Sequence, residues 1–338
     1  MMNTILENQR LSRWATLLTR KPGQYGAIHE SDAELVPLGD GRLLALTVDQ
    51  VAEEIALGLY REPETVGRIA VVASLSDLAA VGAEVTGLLI SVTLPTIDTE
   101  RVQDAVASGI REAAERAQTY VLGGDTSAGS QLSIACTAVG TVPQTSVHTR
   151  IGAAPGDTVY ATGKLGLGAA LAAVQLLSLP KELLSEAEFR PELRLREGQA
   201  LRGLASSCID TSDGLISTLD QLSRLNGVAI AVDEDPAALL HPKAEQVRAA
   251  LRVGPVPVLA AIHGEFELVF TVPEHQQPKF RDVWQSLGFT AIRLGTVAKG
   301  SGVSVAGREL DTAWIRNLTY TTGNDAREYF RHIVALCE

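Results

Sequence analysis

The sequence predicts two domains of mixed strands and helices, and three observations carry that expectation. Its 338 residues exceed what a single ordinary core holds. Strand-like and helix-like stretches alternate along both halves. Between them, Pro143–Gly156 is polar and turn-rich, which places the boundary there, with domains at 1–145 and 146–338. Hydrophobic residues make up 46% of the chain, enough for a sizeable core and too many for long disordered tracts.

In the first half, Asn3–Leu18 places Ile5, Leu11, Trp14, Leu17 and Leu18 roughly on one side of a helix. A connector, Lys21–Glu30, leads to a hairpin-like unit of residues 31–36, a turn at Gly39–Gly41 and a strand at Leu43–Val48. Thr65–Val81 has helical periodicity, interrupted by Ser76 and Asp77. Gly87–Leu94 reads as a strand closed by Pro95, and Thr99–Gln118 as an amphipathic helix capped by Asp98 or Thr99. Thr119–Leu122 reads as a buried strand that stops at Gly123–Gly124, and Ser133–Val142 as another strand.

The second half opens with a strand at Thr158–Ala161. The loop TGKLGLG (162–168) then enters an apolar helix, Gly168–Leu179. A helix N-terminus can bind anions, but this loop matches neither GxGxxG nor the Walker A pattern. The segment SSCIDTSDG (206–214) sets Asp210, Ser212 and Asp213 just before a helix at Leu215–Leu225, which closes with Gly227. Strands are expected at Val228–Val232, Glu267–Val272 and Ala291–Val297, with helices around Lys279–Leu287 and at Asn324–Cys337.

Composition narrows the function. A net charge of −11 argues against nucleic-acid backbones and anionic membranes as general partners. No apolar run is long enough to span a bilayer, and the N-terminus lacks a signal-peptide core. Cys136, Cys208 and Cys337 show no metal-like spacing and are odd in number, which suits a reducing cytoplasm.

The carboxylates point to chemistry. Asp32 and Asp49 flank the hairpin-like unit, Asp77 interrupts an apolar helix, Asp125 follows the Gly pair, and Asp210 and Asp213 precede a helix. Singly, each has a plainer reading as a turn carboxylate, an exposed helix residue or an N-cap. An ionised group among alanines, leucines and valines, however, needs a partner or a cation. Brought together, these acids would form an oxygen-rich cage suited to Mg2+, an ion that bridges nucleotide phosphates during phosphoryl transfer. Gly123 and Gly124 would let backbone amides approach a ligand, and Arg150 would clamp a phosphate if its segment folds over a cleft.

The segments SDAELV (31–36), LTVD (46–49), SLSDLAAVGAE (74–84), LGGDTSAG (122–129), TRIGAAPGDTVYATG (149–163), IDTSDGLISTLDQL (209–222) and GEFELVFTV (264–272) resemble the thiamine-monophosphate kinases. These lie within the wider aminoimidazole ribonucleotide synthetase (PurM-like) superfamily. The resemblance implies an N-terminal α/β domain that pairs its sheet across a homodimer, and a C-terminal α+β domain. It implies ATP and Mg2+ in a cleft, and direct transfer of the γ-phosphoryl group to a phosphorylated acceptor, thiamine monophosphate first. Carried over by position, Asp32, Asp49, Asp77, Asp125, Asp210 and Asp213 would bind Mg2+, with Thr47 beside the metal. Gly124, Asp125, Arg150 and Ser212 would contact ATP, and Glu265 would face the thiamine substrate. Asp125, Asp213 and Arg150 would be the catalytic residues.

The chain departs from that pattern mostly on the acceptor side. Ser31 stands where the family has the first of two acids, and Ala56 where it has a substrate-facing histidine. GEDYEL is shortened to GEFEL, so that either Glu265 or Glu267 is the equivalent acid, and the family's aromatic chain ending is not evident. Two other readings fit the same nucleotide side: an ATP-dependent ligase or dehydratase activating an amide or carbamoyl oxygen, and a non-catalytic nucleotide binder.

Overall fold

The computed structural model describes residues 4–323 and 325–337. Asn3 and Asn324, where the sequence reading starts two helices, lie outside the described residues. The first half of the chain contains helix α1 (Leu6–Leu17), strands β1 (Glu34–Pro37) and β2 (Arg42–Gln50), helices α2 (Ala52–Leu57) and α3 (Pro63–Ala80), strand β3 (Glu84–Pro95), helix α4 (Thr99–Arg116), and strands β4 (Val121–Gly129) and β5 (Ser133–Pro143). Its sheet runs β1-β2-β5-β3-β4; β3 and β4 are parallel and the other pairs antiparallel. Along β5 burial alternates, with Ile134, Cys136, Ala138 and Val142 inward, as a half-covered strand requires. The apolar helix α3 covers that inward face, and Ser74 Oγ donates to the Cys136 carbonyl at 2.8 Å.

The second domain begins with β6 (Thr158–Ala161), α5 (Leu167–Leu176), α6 (Leu195–Ala200), β7 (Ser207–Asp210), α7 (Leu215–Asn226) and β8 (Val228–Val232). Three short helices follow, α8 (Pro236–Leu239), α9 (Pro242–Leu251) and α10 (Pro255–Ala260), each entered through a proline that suits a first helical turn. Then come β9 (Leu268–Val272), α11 (Gln277–Leu287), β10 (Ile292–Lys299), β11 (Gly302–Val305), β12 (Arg308–Glu309), α12 (Thr312–Thr322) and α13 (Ala326–Cys337). The sheet order is β12-β11-β8-β10-β6-β9-β7. Phe270, Phe280 and Trp284 pack their rings 4.8–5.6 Å apart against it.

Two expectations need correction. The strand expected to end at Gly123–Gly124 instead begins at Val121 and runs through the glycines to Gly129, so Asp125 is mid-strand. Nor is this strand buried: β4 is the sheet edge, and Val121–Ala128 are all exposed. Helix α1 is also less covered than its pattern suggests. It has no buried residue, and Trp14, Leu17 and Leu18 are exposed. It is held on α12 by polar contacts instead, with Leu6 N–H donating to Asn317 Oδ1 (2.9 Å), Asn317 Nδ2 to the Thr4 carbonyl (2.8 Å) and Arg316 paired with Glu7 (3.0 Å). Among the described residues no helix is long and apolar enough to cross a membrane.

Candidate active site

Four carboxylates from four different elements meet where the domains touch. Asp32 precedes β1, Asp49 lies near the end of β2, Asp77 sits in the last turn of α3, and Asp210 ends β7. One oxygen each from Asp32, Asp77 and Asp210 lie within 4.8 Å of one another. The helix residues that interrupt the apolar pattern of α3 therefore face across the domain junction: Ser76 Oγ donates to Asp210 Oδ2, and Thr47 Oγ1 on β2 donates to Asp77 Oδ2. Ser212 Oγ donates to Asp210 Oδ1 at 2.8 Å. From the segment between the sheets, Arg150 donates to Asp32 Oδ1 (2.9 Å) and to Gln221 Oε1 (3.0 Å). The segment between the sheets thus brings Arg150 to the acid cluster.

Crowding these acids has an electrostatic signature. Burial first, then the neighbouring Asp32, pushes Asp210 up to about 7. Burial raises Asp77 well above the carboxylate range, and Asp49, Asp210 and Asp32 add to it. Asp49 is raised by burial and by Asp32 and Asp213. Asp213 stands at the open mouth of the cleft, where the crowding of surrounding atoms lifts its carboxyl. Burial pulls the Arg150 guanidinium down, but Asp32 more than offsets it and holds the charge in place. Asp32 Oδ2 and Asp49 Oδ2 are buried with no hydrogen-bond donor among the described residues. A set of hard oxygen donors, short of protein donors and repelling one another, fits Mg2+.

Beside the cage runs a trough of three joined hollows. The innermost, about 190 Å³, is lined by Asp49, Glu54, Ser212, Asp213, His263 and Phe266. The next, about 420 Å³, shares Glu54, Asp213 and His263 and adds Glu7, Arg10, Glu53, Arg316 and Tyr320. The outermost, about 590 Å³, is more apolar, with Leu57, Leu176, Tyr329 and Phe330 beside His263.

The N-terminal and C-terminal domains of the AIR synthase related protein family match residues 30–142 and 154–308. The thiamine-monophosphate kinase of Pyrococcus horikoshii is 33% identical over 81% of this chain and 84% of its own length. This chain belongs to the thiamine-monophosphate kinase family. The Salmonella typhimurium thiamine-monophosphate kinase is 34% identical, over 72% of this chain and 75% of its own. Among solved structures, AaThiL complexed with AMPPCP and TMP superposes with a TM-score of 0.76 at 23% identity, covering 92% of this chain and 96% of that chain, a likeness that shows the fold.

In this thiamine-monophosphate kinase family member, the site residues named from sequence divide into three groups. Asp32, Thr47, Asp49, Asp77, Arg150, Asp210, Ser212 and Asp213 come together at the cage and its mouth. Asp125 and Gly124 stand apart on the sheet edge. The register across the sheet aligns Asp49, Cys136, Ile90 and Gly124 in one row, so Asp125, the next residue, points to the opposite face. Three strand spacings, about 14 Å, separate β2 from β4. Gly124 has a packing reason to be glycine: a Cβ there would lie 1.8 Å from the Ile90 carbonyl oxygen.

Glu265 forms the third group, buried against the start of α5. The Gly166 and Gly168 amides and Thr211 Oγ1 donate to its carboxyl, and burial, reinforced by Glu267, pushes it up to about 8. Glu267 is gripped by Arg194 through two 2.7 Å contacts and by Thr162. Neither acid lines the trough. Of the residues that do, Asp49, Ser212 and Asp213 were named from sequence, while His263, Tyr320, Arg316 and the α1 pair Glu7 and Arg10 were not. The only signal for His263 was its place directly before the GEFEL segment.

Proposed function

We propose that this chain transfers the γ-phosphoryl group of ATP to thiamine monophosphate, giving thiamine diphosphate and ADP. The observation that carries the reading is the convergence of Asp32, Asp77 and Asp210 beside Arg150. The names of its Pyrococcus and Salmonella relatives support it, as do the AMPPCP and TMP bound by AaThiL. In this reading Asp32, Asp49, Asp77, Asp210 and Asp213 hold Mg2+, with Thr47 fixing Asp77. Bound Mg2+ would screen the charge of the triphosphate oxygens. Arg150 is pre-set by Asp32 and Gln221 to meet phosphate, and Ser212 offers a hydroxyl at the mouth of the cage. Rigid placement and charge complementarity do the chemistry, without a protein nucleophile. Glu265 belongs to the acceptor side as a positioning residue beneath the trough wall.

We propose a domain division at 145/146, a reading supported by the two sheets, one on each side of it. We assign the chain to a homodimer built through the first sheet. The unpaired β4 edge and the exposed Val48, Leu89, Tyr120, Val121 and Leu122 support this, since such an edge invites a second chain. Asp125 and Gly124 would then meet ATP where β4 approaches the partner copy. The three buried thiols fit a reducing cytoplasm. The direct test incubates the protein with thiamine monophosphate, ATP and Mg2+ and separates the products. Thiamine diphosphate and ADP in equal amounts are expected; free phosphate without thiamine diphosphate overturns the reading.

A further inference from the structure

His263 is the one described residue that lines all three hollows of the trough. On one side are the cage residues Asp49 and Asp213, and on the other the apolar end lined by Leu57, Leu176, Tyr329 and Phe330. Its backbone is left-handed, with φ 78°, and Phe266 three residues on has φ 60°. A side chain at such a φ is strained, and strain of this kind persists only where surrounding structure enforces it.

The enforcement is visible on both sides. Ile262 N–H donates to the Tyr329 hydroxyl (2.8 Å), and Gly264 N–H donates to the Ser212 carbonyl (2.8 Å). Gly264 presses so closely on the Asp210–Asp213 loop that a Cβ would fall 1.3 Å from the Thr211 carbonyl oxygen. The loop is therefore pinned to the cage, and the imidazole is held over the joint between its two ends. Yet no described residue hydrogen-bonds that imidazole. Burial pushes it down to about 4, so near pH 7 it is neutral and offers one donor and one acceptor.

We infer that His263 seats the acceptor, hydrogen-bonding it where its phosphate end meets its organic body. The walls on either side say what that body is. Glu7, Glu53, Glu54 and Asp213 outnumber Arg10 and Arg316 in the middle hollow, and aromatic and aliphatic side chains line the outer one. Those walls suit the aromatic, cationic body of the thiamine monophosphate that the kinase reading already supplies. The inference rests on the kinase reading above, because that reading places the phosphate end at the cage.

The test compares wild type with His263→Gly and His263→Asn. Glycine relieves the positive φ, so this variant should fold with an unchanged or higher Tm while losing the imidazole. The expected result is a rise of about tenfold in KM for thiamine monophosphate, and in its Kd by calorimetry without ATP, as fits one lost hydrogen bond. KM for ATP should stay within about twofold, and asparagine, which tolerates this backbone and keeps polar atoms, should recover part of the loss. An unchanged acceptor KM and Kd in the glycine variant, or equal losses for acceptor and ATP, would overturn the assignment. If wild type phosphorylates a different phosphate monoester instead, the thiamine reading fails, and His263 is judged by the same criterion on that acceptor.

Discussion

Arg150 Nη2 sits 2.9 Å from Asp32 Oδ1, and this pair fastens the segment between the two sheets to the entrance of the first. The Asp32 side chain is 1% exposed, and that of Arg150 17%. Removing one partner of a buried pair strands the other charge, which costs about 3–5 kcal/mol. Arg150→Met should therefore destabilise the protein by that order in urea unfolding. Adding Asp32→Asn to it should recover part of the loss, because the stranded charge goes with it.

Metal removal should be felt by the fold as well as by turnover. Ligand bound only by the folded state stabilises it, by about 2.7 kcal/mol at a hundred times Kd. Mg2+ should raise the Tm at neutral pH, and chelation should reverse the gain. Asp77→Asn should weaken this response, and an undiminished Mg2+ shift would take Asp77 out of the cage.

Asp125 makes a separate prediction. It is exposed mid-strand and far from the cluster of its own chain, so Asp125→Asn should leave the Tm unchanged while turnover drops at least a hundredfold. If it acts across a dimer, mixing Asp125→Asn with Asp77→Asn protein should restore part of the activity that neither has alone. No recovery on subunit exchange would place Asp125 in its own chain's site or outside the mechanism.

The buried acid Glu265 sets a pH dependence. Its carboxyl rises from the ordinary 4.5 to about 8 in the fold, chiefly through burial. Between those values the folded chain holds a proton that the unfolded chain has released, so stability should fall as pH rises through this window. Glu265→Gln should flatten the fall, as read by Tm against pH from 5 to 9.

Gly264→Ala should be among the most damaging small changes. The added carbon has no room beside the Thr211 carbonyl, so the His263 loop must leave the Asp210–Asp213 loop. Overpacking of this kind costs about 1–3 kcal/mol. Circular dichroism should show a lowered Tm, with acceptor and ATP binding both impaired because the loop serves both ends of the trough.

Much of this arrangement was legible in the chain. Strands β1, β2, β3, β5, β6, β8, β9 and β10 and helices α3, α4, α5, α7 and α11 stand close to where periodicity and turn residues put them. Asp77 betrayed itself because a carboxylate inside SLSDLAAVGA has no apolar explanation, and the fold turns it toward Asp210. What stayed hidden depended on long-range neighbours. Whether VLGGDTSAG is a buried strand with a turn or an exposed edge is decided by β3 beside it, and no local pattern reports that. The proline-led helices α8 and α10 were too short for their periodicity to register, and α9 between them buries only Ala244 and Val247, too thin a stripe to show. His263 was invisible because a single histidine beside a glycine carries no pattern; only the meeting of three hollows gives it meaning.

The docking of α1 on α12 bears on how the protein is made. Leu6 and Asn317, which hydrogen-bond to each other, are 311 residues apart. A ribosome adding about 5–20 residues per second needs on the order of 15–60 s to bring the second after the first. Throughout that time Glu7 and Arg10 cannot take their places in the trough wall. The binding site is thus completed only when α1 meets a helix synthesised much later than itself.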